Sequence, residues 1–156
     1  MTNPIVLYSI GFLFFALSQK FLVDKLALGG VRPDIILILL VFFARNEGQS
    51  AGTVVGFVVG LMTDLLYGTL GLSAFTKTIA GFVAGYFSNS EKRTNDLNFA
   101  TAVFVTTFIH NVMFQVVGNF LMMPFWKMLL LQGVLGAFYT SVISYLLFSF
   151  VLRRYS

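Results

Sequence analysis

Apolar residues run along this chain in blocks close to the length of a membrane crossing. A hydrocarbon core of roughly 30 Å takes about 20 helical residues. Such blocks fall at about residues 4–23, 33–50, 51–67, 72–87, 99–122 and 128–152. Short polar stretches separate them: Asp24 to Arg32 with Gly29-Gly30, the tight Gly68 to Gly71 turn, Ser88 to Asn98, and Pro124 to Lys127. The pattern predicts an all-α polytopic membrane protein, a six-helix bundle in one transmembrane domain over residues 1–156.

The second block is the weak one. From Pro33 it is strictly apolar only to Ala44, about 18 Å of helix, too short for a lipid-exposed span. Either it continues through Arg45 to Ser50, with Arg45 snorkelling to the interface, or it is re-entrant and leaves five spans. Loop charges bear on this choice. Six spans with the N-terminus inside leave Lys20, Lys25, Arg32 and Lys127 outside. Five spans with the N-terminus outside leave only Lys127 there, so charge alone favours five. Both arrangements put the Ser88–Asn98 loop and the Arg153-Arg154 tail in the cytoplasm.

Composition narrows the function classes. Hydrophobic residues are 58% of the chain and charged residues 10%, against about 25% charged in a soluble domain. That excludes an ordinary globular enzyme, a disordered tail and a coiled coil. The net charge of +4 comes from scattered loop residues, with no basic face for nucleic acid. The chain has no cysteine and one histidine, so neither a disulfide nor a protein-only zinc site is expected. No cofactor is expected. The first block lacks a basic start and a small-residue cleavage motif, and reads as a retained helix rather than a signal peptide.

Several polar or small residues stand out within the apolar blocks. Gly52, Gly56 and Gly60 lie four apart on one helix face, and Gly81 and Gly85 echo them. Glycines at this spacing let two helix backbones approach closely. They are read first as packing inside the monomer and second as a face for a partner's helix. Asp64 and Lys77 lie on either side of a turn taken as centred near Leu70, which puts both roughly 9–10 Å from it. They are read as a direct pair clamping a hairpin near the outer interface, with a proton or ion relay as the functional alternative. Pro33 at the first helical position and Asp34 in the first turn make an ordinary helix start. Arg32 sits at the membrane surface, placed to meet a partner's carboxylate. His110 lies near mid-helix in the fifth block. Asn111, Gln115 and Asn119 form a stripe on that block, read as inter-helix hydrogen-bonding amides and second as a small-ligand pocket. Ser73 with His110 superficially resembles an intramembrane serine protease dyad, but nothing in the spacing fixes a nucleophile–base contact.

The run Val31-Arg32-Pro33-Asp34 and the apolar stretch from Ile35 to Ala44 resemble the bacterial rod shape-determining protein MreD family. Gly56-Phe-Val-Val-Gly60-Leu-Met-Thr-Asp64-Leu-Leu-Tyr-Gly68, then Leu70-Gly71-Leu72-Ser73, Lys77-Thr78 and Gly81, continue the likeness. It covers Val31 to Gly85; the other blocks match in length and hydropathy. The resemblance implies an inner-membrane bundle of six helices, similar in fold to substrate-binding subunits of energy-coupling-factor vitamin transporters. It places both termini in the cytoplasm, against the charge count. It implies a non-enzymatic scaffold of the cell-elongation, peptidoglycan-synthesis machinery. The implied partners are the bitopic protein MreC and, directly or indirectly, MreB, RodA and its transpeptidase, a class B penicillin-binding protein. Pro33, Asp34 and Asp64 occupy family positions with no assigned catalytic role. The rival reading is a solute-binding vitamin-transporter subunit using the Asn111–Gln115 stripe. The Ala-xxx-Ala contact motif expected in such a subunit's first helix is missing, since Gly11 and Ala16 are five apart. An enzyme is the third reading.

Overall fold

The computed structural model describes residues 33–89, 96–118, 127 and 129–150, and their regular structure is entirely helical. The first block, Arg32, Asn119 and Arg153-Arg154 lie outside the described residues. The helices are α1 (Ile35–Glu47), α2 (Gln49–Tyr67), α3 (Leu72–Tyr86), α4 (Asp96–Gly118) and α5 (Gly136–Phe150). One 3₁₀ turn, Phe87–Asn89, follows α3, and π-helical turns at Leu129–Leu135 lead into α5. Among the described residues, three helical stretches are long and apolar enough to cross a membrane: Gln49–Tyr67, Leu97–Gly118 and Gln132–Ser149.

The start of α1 differs by one residue from the expected one. Pro33 precedes the cap instead of opening the helix. Asp34 is the N-cap, and its Oδ1 accepts a hydrogen bond from the Leu37 N–H at 2.9 Å. A cap carboxylate satisfies one of the orphan N–H groups of the first turn. The other end stops at Glu47, short of Ser50, because Gly48 takes φ +92° and its N–H closes on the Ala44 carbonyl. A single glycine thus joins α1 to α2. Thirteen residues reach only about 20 Å. Ile36, Leu37, Ile38, Leu40, Val41 and Ala44 are all buried, so α1 is apolar all round and lies inside the bundle. It packs on α2, α3, α4 and α5. Its last basic residue, Arg45, lays its guanidinium over the Phe99 ring of α4, 5.8 Å from the centroid.

The helices α2 and α3 form a hairpin whose backbones touch. A Cβ on Gly56 would collide with the Lys77 carbonyl, one on Gly60 with the Ala74 backbone, and one on Gly81 with the Gly52 carbonyl. Gly85 lies in the same way against Gln49. The glycine face of α2 is therefore occupied by α3 of the same chain. The remaining core is built by Ile38, Val41, Ala44, Ala84, Ala102 and Val103 around Phe99 and Phe148, whose rings stack at 4.7 Å.

Polarity runs opposite to that of a water-soluble bundle. Asp64, Lys77, Thr76, Thr106, Thr107, His110, Thr140 and Ser144 are buried, while Phe57, Leu61, Leu65, Phe75, Phe82, Phe138 and Leu146 are exposed. An apolar exterior, with polar side chains turned inward beside the apolar core, is what lipid as solvent selects.

Because the atoms facing Gly56 and Gly81 are backbone, they cannot swing aside. Gly56→Leu and Gly81→Ala are each expected to lower the detergent melting temperature, with a loss of about 1–3 kcal/mol for the smaller change.

Candidate functional site

The charged residues inside the bundle are sorted by the glycine register. Gly60 faces Ala74 and Gly56 faces Lys77, so the hairpin is centred near Tyr67 and not near Leu70. That three-residue difference separates Asp64 from Lys77 in depth. The direct Asp64–Lys77 pair expected from the sequence does not form.

Asp64 instead caps α3 from across the turn. Its Oδ1 accepts the Ser73 N–H at 2.9 Å and its Oδ2 the Ala74 N–H at 2.8 Å, and the Thr69 hydroxyl also donates to Oδ1. The reason lies at the start of α3. Its N-cap is Gly71, which has no side chain to offer the first-turn N–H groups. Gly68, in the left-handed conformation at φ +70°, ends α2 with its N–H on the Asp64 carbonyl. Asp64 thus closes one helix with its backbone and opens the next with its carboxylate. Ser73, half of the dyad set aside above, is engaged here: its N–H meets Asp64 and its hydroxyl lies 3.1 Å from that of Thr69.

Lys77 points from α3 to α1. Its Nζ donates to Asp34 Oδ2 at 2.8 Å, with 4% of the lysine side chain and 19% of the aspartate side chain exposed. Asp34 therefore does two jobs, capping α1 and neutralising a buried ammonium. The helices α1, α3 and α4, which carry Asp34, Lys77 and His110, pack on one another.

The amide stripe lies to the side of this cluster. Asn111 Nδ2 donates to the Gln132 carbonyl at 2.9 Å, and the Gln115 side-chain amide donates to that of Gln132. These contacts tie α4 to the π-helical turns before α5. Among the described residues no group of three or more His, Cys, Asp and Glu side chains is placed to hold a metal.

A family model described as rod shape-determining protein MreD matches residues 2–153. The chain belongs to the MreD family. That match covers nearly its whole length, well beyond the Val31–Gly85 stretch that carries the resemblance in the sequence. Neither the curated proteins nor the solved structures gave a match. Family membership, with the membrane-capable helices, makes this a membrane protein of the cell-shape system and supports a role in rod-shape determination. The MreD family is one of structural, shape-determining proteins.

Sequence reasoning missed the Asp34–Lys77 pair, the Asp64 cap, and the roles of Thr69 and Gln132. One signal for the cap was present: Gly71 before Leu72-Ser73 leaves helix N–H groups without a local acceptor, and Asp64 is the nearest acid in the chain. Asp64→Ala is expected to lower stability by about 1–2 kcal/mol, the range of a lost cap. Asp64→Asn, which keeps one acceptor oxygen, is expected to lose less. Thermal melts of the three proteins in one detergent check the order.

Proposed function

We propose that this chain is a non-enzymatic scaffold of the bacterial cell-elongation machinery. It sits in the inner membrane with both termini in the cytoplasm. It binds MreC and through it links MreB filaments to the wall synthases, RodA and a class B penicillin-binding protein. The observation that carries this reading is the family match over residues 2–153.

The packing supports a presenting role. The α2–α3 hairpin is held backbone to backbone, α1 is locked between it and α4, and the charged side chains of the interior are used to cap and tie helices. A bundle built this way offers a fixed outer surface to a partner. That surface includes Phe57, Leu61 and Leu65 along the outer face of α2 and Phe138 and Leu146 on α5. The wider architecture we propose is a bundle of six spans, with the block at 4–23 as the first, similar to the substrate-binding subunits of energy-coupling-factor transporters. In this proposal the five described helices supply the rest, with α1 as the short central member.

Purification from native membranes in mild detergent, followed by mass spectrometry, tests the reading. Recovery of a single-span MreC-like protein with no stoichiometric small ligand is expected. Recovery of ATPase subunits, or of a bound vitamin, would replace the scaffold with the solute-binding transporter subunit and make Asn111 and Gln115 the residues to mutate.

A further inference from the structure

Two threonines of α4 behave unlike five others in the helices. Thr53, Thr63, Thr76, Thr78 and Thr101 each donate their hydroxyl to the carbonyl four residues earlier. That is the ordinary way for a threonine to satisfy itself in an apolar helix. Thr106 and Thr107 are 0% and 1% exposed, yet among the described residues neither hydroxyl has a hydrogen-bond partner. One turn further along the same buried face is His110, 7% exposed, whose Nε2 also has none. Positions three and four apart on a helix are neighbours, so these three atoms belong to one patch.

The helix of this patch packs on α1 and on α3, and α3 carries Lys77. Its ammonium has three N–H donors, and among the described residues one of them is used, on Asp34 Oδ2. The junction of α1, α3 and α4 therefore gathers spare ammonium donors, two hydroxyls that both donate and accept, and a ring nitrogen, all shielded from the exterior.

We propose that this junction is a binding site for internal water, held by Lys77, Thr106, Thr107 and His110. Buried polar groups in folded proteins are satisfied as a rule, by protein or by ordered water. A buried water needs two to four polar partners, and this patch supplies them. The mixture of donors and acceptors fits water. The Asp34 and Lys77 charges cancel, so the junction has no net charge to select an ion. Water here completes the solvation of the Lys77 ammonium, which one carboxylate oxygen alone does not.

His110 is the only histidine of the chain, so ¹⁵N-histidine labelling reports on this site alone. The experiment is water-to-ring polarisation transfer by solid-state NMR on the full chain in bilayers. The wild-type ring is expected to receive polarisation from water several-fold faster than the ring of a Thr106→Val/Thr107→Val double variant. Equal rates in the two proteins overturn the proposal. Melting temperatures give a second reading that needs no label. If the hydroxyls hold water, Thr106→Val and Thr107→Val each lower the melting temperature. If the hydroxyls are dry, the isosteric methyl removes an unsatisfied polar atom and the melting temperature rises or stays the same, which also overturns it.

Discussion

A lysine ammonium buried in an apolar bundle has to meet a counter-charge, and most of this structure can be read from how Lys77 does so. Its carbonyl is pressed against Gly56, which fixes where its Cα sits and turns the side chain away from α2. The acid within reach is then Asp34, at the head of the short central helix. The pair pins α1 to α3 at one end, as Arg45 over Phe99 joins α1 to α4 at the other. An ion pair of this kind contributes little net stability, because desolvation offsets attraction, but losing one partner leaves a bare buried charge. Its effect is to specify one arrangement of helices over others.

The glycines set the geometry in which that pair forms. Gly52, Gly56, Gly60, Gly81 and Gly85 let α2 and α3 run in backbone contact. The register they impose puts Asp64 over the open end of α3 and leaves Lys77 facing α1. Had the hairpin been centred at Leu70, the two charges would have met and Asp34 would have been only a cap. The positions of the charges in the bundle follow from small residues that carry no charge.

Much of this was legible from the residues. The hydropathy blocks marked the helices, and the glycine spacing marked the close-packed pair. The charge positions marked where polar chemistry enters the membrane. The pairing of charges was not legible, because it turned on a three-residue shift in the centre of the hairpin. Turn geometry at Gly68-Thr69-Leu70-Gly71, with Leu70 itself at φ +41°, decides that shift, and hydropathy does not report it. The end of α1 was illegible for a similar reason: residues 45–50 are too polar to read as lipid-facing and too short to read as a loop. A glycine at position 48 with φ +92° resolves them into a break. The inward face of His110 was also hidden, since its neighbour Asn111 belongs to a stripe rotated about one residue around the helix.

For a protein of the MreD family, this construction places the specific chemistry inside and leaves an apolar outer surface for lipid and partners. The buried polar groups hold the bundle in one shape, and the exterior presents it. The pair at the centre of the account is tested most directly by a double-mutant cycle on Asp34→Asn, which keeps a capping oxygen, and Lys77→Met. Unfolding is followed in detergent for the two single variants and the double variant. Lys77→Met, which removes the ammonium beside Asp34 Oδ2, is expected to be destabilised, and adding Asp34→Asn to restore part of the loss, giving a coupling of about 1 kcal/mol or more. Strictly additive losses would contradict it and would mean that Asp34 and Lys77 stabilise the bundle independently.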